Sequence, residues 1–251
     1  MSGHSKWSTI KRKKGAKDAQ RSKIWSRLIR EVTVAARIGG SDPDANTRLR
    51  AAITAARAAN MPHDNIDKAI KRGTGEIAGA IYEEISYEGY GPGGVAVLVE
   101  TQTDNKNRTA AAVRHIFTKY HGKLGSSGCV SYLFDRRGMI VLDGHRCDID
   151  TAMEAAIDAG AEDVTEEDDS IVITTTMEEF HTVNQVLQKA GLPVVSAELT
   201  NVPQTIVKVT GKEAETLLKL ITGLDDLDDV ASVSTNFDID DEELAAINEN
   251  L

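Results

Sequence analysis

The chain has 251 residues, 41% of them hydrophobic, and a formal net charge of −10. No apolar run approaches the roughly 18 residues that cross a bilayer, and the charged first twenty residues lack the apolar stretch of a secretory signal. We therefore expect a cytoplasmic protein with no membrane partner. The charge is unevenly distributed: residues 1–72 contain 17 Lys and Arg against 6 Asp and Glu, whereas residues 143–251 contain 5 against 26. Because a local positive surface attracts polyanions even when the whole protein is acidic, this asymmetry predicts a nucleic-acid partner.

The first predicted elements are a basic segment, residues 1–17, and a helix from Asp18 to Ile38. Apolar side chains, Trp25 among them, recur at helical spacing and predict a face that packs against a core. The opposite side of the helix carries a set of cations that we call the basic stripe: Lys23, Arg27, Arg30 and Arg37. Gly39-Gly40 is typical of a helix end.

Two shorter helices follow. Ser41 or Asp42 is the expected N-cap of the second helix, which runs to about residue 60, and Met61-Pro62 restarts a third helix that ends at Gly73. The two helices and the short turn between them are similar in arrangement to a helix-turn-helix, but the sequence does not identify one. Residues 1–79 are therefore predicted to form a basic arm and a helical domain.

Beyond residue 79 the hydrophobic pattern changes to strand spacing. Residues 135–200 predict a complete βαββαβ unit, the ferredoxin-like arrangement. Residues 80–134 and 201–240 each predict a lone βαβ half, the first ending in a strand at 130–134 and the second beginning with a strand at 204–209. Since neither half can bury its own face, we expect them to pair into one discontinuous ferredoxin-like domain. The predicted fold class is α+β with three domains, followed by an acidic tail at 241–251.

Residues that could support chemistry are sparse. Cys129 and Cys147 have neither CxxC spacing nor neighbouring histidines, which indicates a reducing compartment and no metal. Residues 89–94 are rich in glycine but lack the Lys and Ser/Thr of a phosphate-binding loop, so a hairpin turn is expected there. The acidic clusters at 166–169 and 225–229 are expected to be solvated turn charge. The sequence thus predicts no enzyme, no catalytic residue, no cofactor and no small-molecule substrate, and it leaves the oligomeric state open.

Several longer strings resemble one known family. They are the opening Gly3-His4-Ser5-Lys6-Trp7, the run Gly39 to Asn46, the turn Tyr87 to Gly94, the string Thr103 to Thr109 and the segment Gly160 to Asp163. Together they closely resemble the YebC family over essentially the whole chain. The resemblance implies a helical N-terminal domain and two α+β domains around an open cleft.

The resemblance also implies a regulator of gene expression. Members of the family are described as DNA-binding transcriptional regulators in bacteria, whereas relatives that include a mitochondrial activator of cytochrome oxidase translation resemble ribosome-associated factors that relieve stalling at proline runs. Both alternatives, DNA or ribosomal RNA and tRNA as the bound nucleic acid, stay open from the sequence. An enzyme that uses the interdomain cleft and a module that binds an acidic protein are the weaker rivals.

The candidate nucleic-acid-binding residues are the cations of the arm, the basic stripe and one helix start, with one aromatic residue that could stack on bases. They are Lys6, Trp7, Lys11, Arg12, Lys13, Lys14, Lys17, Lys23, Arg27, Arg30, Arg37, Lys106 and Arg108. For Lys106 and Arg108 the alternative is ordinary helix capping by Asp104 or Asn105. For Trp25 core packing is the expected role.

Overall fold

A computed structural model describes residues 17–167 and 169–250 of the chain, with the side chains of residues 21–167, 169–240 and 243–247. It is a mixed α+β structure of eight helices and ten strands within these residues. None of the described helices is both long enough and apolar enough to cross a membrane. The buried apolar side chains form three large clusters, one among the first three helices and one beside each four-stranded sheet.

Three helices form the N-terminal part: α1 (Lys17–Gly39), α2 (Thr47–Ala58) and α3 (His63–Gly73). The predicted cap of α2 is wrong, because Asn46 caps it. The Asn46 side chain accepts from the Leu49 N–H at 3.0 Å and donates to the carbonyls of Ala35 at 2.8 Å and Gly40 at 2.9 Å. It therefore satisfies the start of one helix and the end of another, which neither Ser41 nor Asp42 does.

Gly73 lets α3 approach α1 closely. A Cβ at this position would lie 2.4 Å from the Thr33 carbonyl oxygen and 2.8 Å from the Ala36 Cβ. We expect Gly73→Ala to lower the free energy of unfolding by about 1–3 kcal/mol, since backbone atoms must separate to accept the methyl group. Urea unfolding measures the loss. Gly79→Ala is the control, because its added methyl group meets only the flexible Arg72 side chain; an equal loss in both variants would contradict the prediction.

The second part is built on a sheet with strand order β3-β1-β2-β9. Its strands are β1 (Glu83–Tyr90), β2 (Ala96–Thr103), β3 (Lys123–Leu124) and β9 (Val230–Thr235). Antiparallel ladders join β1 to β2, β1 to β3 and β2 to β9. The helices α4 (Lys106–Lys119) and α7 (Gly211–Asp225) pack their apolar side chains against it. The hairpin turn expected between β1 and β2 is confirmed, with Gly93 and Gly94 at φ of 71° and 75°.

The sequence predicted two further strands near this sheet, at 130–134 and 204–209, and both predictions are wrong. Residues 131–133 form a 3₁₀ turn, and Val130 and Phe134 pack with Ala96 and Leu98 of β2. The strand expected at 204–209 shrinks to β8 (Val207–Lys208), which pairs in parallel with β10 (Phe237–Asp238) outside the main sheet. In a ferredoxin-like domain the strand at 204–209 would pair with β2 inside the sheet. The hairpin places β1 in that position instead.

The third part contains the other four-stranded sheet, of order β5-β6-β4-β7. The elements run β4 (Phe134–Asp143), α5 (Ile149–Asp158), β5 (Asp163–Glu167), β6 (Ser170–Thr175), α6 (Phe180–Lys189) and β7 (Val194–Pro203). All three pairs of neighbouring strands are antiparallel, and this order is the one that a βαββαβ unit gives. At the end of the described chain, where only a tail was expected, α8 (Asp241–Asn250) places Leu244 against the core beside α7.

A buried carboxylate shapes the loop that precedes β4. Glu88, 4% exposed, accepts hydrogen bonds from the backbone N–H groups of Gly128 at 2.7 Å, Val130 at 2.8 Å and Ser131 at 2.8 Å. Burial by itself would raise the pKa of the Glu88 carboxyl, but the three N–H donors outweigh it and the pKa lies below its ordinary value. The loop is therefore fixed by one charged side chain on β1.

Candidate nucleic-acid interface

The first three cations of the basic stripe lie against the end of α7 and the acidic residues that follow it. Lys23 Nζ is 2.8 Å from the Asp226 carboxylate, and Arg27 Nη2 is 3.2 Å from the Asp225 carboxylate. Arg27 also donates to the Asp225 carbonyl oxygen. The structure thus places two of the predicted phosphate-binding cations in contacts within the chain, and their role toward nucleic acid stays a prediction.

Arg30 extends the same contact by one helical turn. Its Nη1 donates to the Asp228 carbonyl oxygen, its Nη2 lies 3.9 Å from the Asp229 carboxylate, and its guanidinium stands 5.8 Å from the centre of the Tyr82 ring. We call residues 225–229 the acidic loop. The expectation of solvated turn charge is wrong for Asp225 and Asp229, whose residues are largely covered, and Asp226 and Asp228 are exposed as expected.

Asp229 is the most enclosed carboxylate of the acidic loop. Its Oδ2 lies 2.8 Å from Arg108 Nη2 and accepts from the Thr109 hydroxyl at 2.7 Å and the Thr103 hydroxyl at 3.4 Å. Burial by itself would raise the pKa of the Asp229 carboxyl, but the hydrogen bonds from Arg108 and Thr109 and the charge of Arg30 hold it below the ordinary value. Asp229 is therefore ionised at neutral pH and ties β2, α4 and α1 together.

The two candidates at the start of α4 have different surroundings. Asn105 caps this helix by accepting from the Arg108 N–H at 3.1 Å, which confirms the capping alternative for Asn105. The Arg108 side chain is held by Asp229 and, at 2.8 Å, by Asp104. Lys106 is exposed, and no ion pair joins it to the described residues.

A second ion network joins the helices to β1 and was not expected from the sequence. Arg48 of α2 lies between Glu31 at 2.7 Å and Glu84 at 2.6 Å, and Gln102 donates to Glu31 at 2.5 Å. The hydrogen bond from Arg48 is the largest cause that lowers the pKa of Glu84 below its ordinary value. The sequence shows Arg48 only as one more positive charge. Its partners Glu31 and Glu84 lie 17 and 36 positions away, so no local pattern predicts the network.

Several exposed cations of the helical part have no ion-pair partner among the described residues; Arg57 on α2 is one, and four others lie close together. Lys68, Lys71 and Arg72 follow one side of α3, and Arg37 ends the basic stripe on α1; all four side chains are exposed, and none has an ion-pair partner in the described part of the chain. Arg37 and Arg72 line the same cleft, of about 340 Å³, between α1, the end of α3 and the connector at residues 74–82. We call these four residues the α3 face.

Part of the predicted interface lies outside the described residues. This part comprises Lys6, Trp7, Lys11, Arg12, Lys13 and Lys14. Lys17 is the first residue of α1, and its side chain is not among those described. Trp25 has the packing role expected for it: its Nε1 donates to the Ala59 carbonyl at 3.0 Å, and Arg21 stands 4.9 Å from its ring centre.

Comparison with known proteins identifies the family of the chain. Two family models match it: the TACO1/YebC protein N-terminal domain over residues 5–76, and the TACO1/YebC second and third domain over residues 82–237. The chain belongs to the TACO1/YebC family.

Relatives match over nearly full length. A "Probable transcriptional regulatory protein" of Geotalea uraniireducens is 57% identical over 244 residues, which cover 97% of this chain and 98% of the relative. A protein of the same name from Desulfatibacillum aliphaticivorans is 56% identical over 242 residues, with 96% and 98% covered. The crystal structure of a conserved hypothetical protein from Aquifex aeolicus matches with a TM-score of 0.85 and 48% identity, covering 92% of this chain and 96% of that one.

The TACO1/YebC chain offers little to a metal ion. In the described ranges, no group of three or more His, Cys, Asp or Glu residues is arranged to hold one. Cys129 and Cys147 are free thiols, and burial raises the pKa of both. The chemistry that the described side chains support best is ionic recognition by Lys and Arg.

Proposed function

We propose that this protein is a non-enzymatic regulator of gene expression that binds nucleic acid through phosphate contacts. DNA is the proposed target, because relatives that are 56–57% identical carry the name probable transcriptional regulatory protein. The proposed contacts come from the basic arm at residues 6–17 and from the α3 face. The three-domain division and the cytoplasmic location expected from the sequence belong to this proposal.

One observation carries the proposal: the helical part presents exposed cations that form no ion pair with the residues the structure describes. Residues 68, 71 and 72 share one side of α3, since positions three and four apart are neighbours on a helix, while Ile66 and Ala69 are buried on the other side. Arg37 reaches the same surface across the cleft. Lysine and arginine side chains in such a row carry the charge opposite to that of a phosphate backbone. Their side chains are long and flexible, so they can reach successive phosphates.

Phosphate contacts fix the position of a protein on a duplex but carry no sequence information. No base-reading motif was found in the sequence, so we expect binding that depends strongly on salt and weakly on base sequence. The same contacts suit an RNA helix, which proteins recognise largely through its shape and backbone. Ribosomal RNA is therefore the alternative target.

The decisive variant replaces Arg37, Lys68, Lys71 and Arg72 together with glutamine. On a 30-base-pair DNA duplex we expect weaker binding and a salt dependence, log K against log salt, that is shallower by up to about 3.6 units, since each of the four lost phosphate contacts removes about 0.9. Fluorescence anisotropy from 50 to 200 mM salt measures both.

A matched control removes four exposed cations from the rest of the chain: Arg146, Lys189, Lys208 and Lys212. An equal loss in the control would mean that net charge alone governs binding and would contradict the proposed surface. Co-sedimentation of the wild type with ribosomes, abolished by RNase, combined with no retention on DNA would replace DNA by the RNA alternative.

A further inference from the structure

We propose that the acidic loop is an intramolecular competitor for nucleic acid: its carboxylates and carbonyl groups occupy Lys23, Arg27 and Arg30, and a polyanion displaces them. The inference rests on the proposed function, and it adds a second, covered binding surface to the α3 face. In the structure, the acidic loop contacts the same ammonium and guanidinium groups that phosphates would contact.

The acidic loop resembles a phosphate backbone in its electrostatics. It begins at the C-terminal end of α7, where unsatisfied carbonyl groups and the helix dipole already concentrate negative potential. Asp225 and Asp226 add carboxylates at this same end, which is an unfavourable position for acidic side chains in an isolated helix. Cations supplied by α1 relieve that repulsion, so the contact is explained by charge and not by apolar packing.

The contact is incompletely satisfied, as expected for one that opens. The Nε of Arg27 is buried and has no hydrogen-bond acceptor among the described residues. The Asp226 side chain that holds Lys23 is 70% exposed, and the Arg30 to Asp229 pair is long at 3.9 Å. Exposed and long pairs contribute little and are screened by salt, so incoming phosphates compete first for Lys23 and Arg30. The Arg27 to Asp225 pair, at 3.2 Å with side chains 18% and 14% exposed, is the stronger contact that a polyanion must displace last.

The far end of the acidic loop has its own anchor. Asp229 is held by Arg108 and Thr109 at 2.8 and 2.7 Å whether or not Arg30 stays in place. Release of Lys23, Arg27 and Arg30 from residues 225–228 therefore leaves β9 paired to β2. The opening is local, and it requires no unfolding of the sheet.

The test variant is the full-length chain with Asp225→Asn and Asp226→Asn. On the same 30-base-pair duplex, we expect binding several-fold tighter than wild type at 100 mM salt. We also expect a salt dependence steeper by roughly 2 units, since two or more newly available cations each add about 0.9. The control, Glu154→Gln with Asp158→Asn on α5, makes the same change in net charge with exposed residues far along the chain. A salt dependence equal to that of the control would overturn the inference.

Adding Lys23→Gln and Arg27→Gln gives a second, independent measurement. In the background of Asp225→Asn with Asp226→Asn these changes should return the salt dependence toward the wild-type value, and in the wild-type background they should change it little. An equal change in both backgrounds would overturn the inference. If the wild type binds DNA and the Asp225→Asn, Asp226→Asn variant binds no more tightly, the acidic loop does not compete with nucleic acid and the proposed function is unaffected. If no variant binds DNA or RNA, the proposed function itself is contradicted.

Discussion

Replacing Asp229 by alanine should lower the free energy of unfolding by about 2–4 kcal/mol, because removing one partner of a buried ionic network leaves the others unsatisfied. The carboxylate of Asp229 accepts from Arg108 and from two threonine hydroxyls and lies near Arg30. We place the effect below that of a fully buried pair, since the Arg108 side chain stays half exposed and regains water. Urea unfolding at pH 7 measures it.

The pH dependence identifies the cause. A carboxyl whose pKa is lowered by folding stabilises the protein above the pKa of the unfolded chain, about 3.9, and this contribution is lost as the pH falls through the folded value. The difference between wild type and Asp229→Ala should therefore shrink below pH 4. Asp104→Ala is the control: its carboxylate also lies 2.8 Å from Arg108 but is 42% exposed, so we expect a loss of less than about 1 kcal/mol. A difference that is constant from pH 7 to pH 3 would show that packing, not charge, explains the loss.

Glu88→Ala should destabilise the second part of the chain by about 2–4 kcal/mol. The substitution leaves the N–H groups of Gly128, Val130 and Ser131 without their acceptor, and an unsatisfied buried donor costs about 1–3 kcal/mol. Hydrogen exchange at these three amides should accelerate in proportion to the loss. The measurement combines urea unfolding with exchange detected by NMR.

Two controls separate the carboxylate from its neighbours. Glu88→Gln keeps one acceptor oxygen and should lose an intermediate amount of stability. Glu83→Ala removes an exposed carboxylate from the same strand and should change stability by less than about 0.5 kcal/mol. Unchanged exchange at residues 128, 130 and 131 in Glu88→Ala would contradict the role assigned to Glu88.

Local patterns predicted the helices and most strands, because helical spacing and alternation are properties of short windows. The βαββαβ order at 135–200 could be anticipated for the same reason. Strand 204–209 could not, since alternation does not say which strand becomes a neighbour, and the hairpin at 91–95 had already given β1 that place. The helix at 241–250 was missed because its acidic composition outweighed the apolar spacing of Leu244 and Ile247.

The candidate site shows a different boundary of sequence reasoning. The basic stripe lies on one side of α1 as predicted, but its partners in the acidic loop are about 200 positions away, and no window contains both. Asp225 and Asp229 lie in a run of acidic residues, and such a run usually indicates a solvent-exposed turn. Only the fold shows that two runs of opposite charge, each unremarkable alone, neutralise each other.

The distance along the chain between α1 and the acidic loop also sets an order in time. Arg27 and its partner are 198 residues apart, so at about 5–20 residues per second a ribosome needs roughly 10–40 s to add the second after the first. Helices form in microseconds and the packing partners of α1 end by residue 73, so the helical part can form long before its acidic partner exists. Each nascent chain therefore emerges with Lys23, Arg27 and Arg30 uncovered beside ribosomal RNA, and their partners at residues 225–229 are added only after about nine-tenths of the protein has been made.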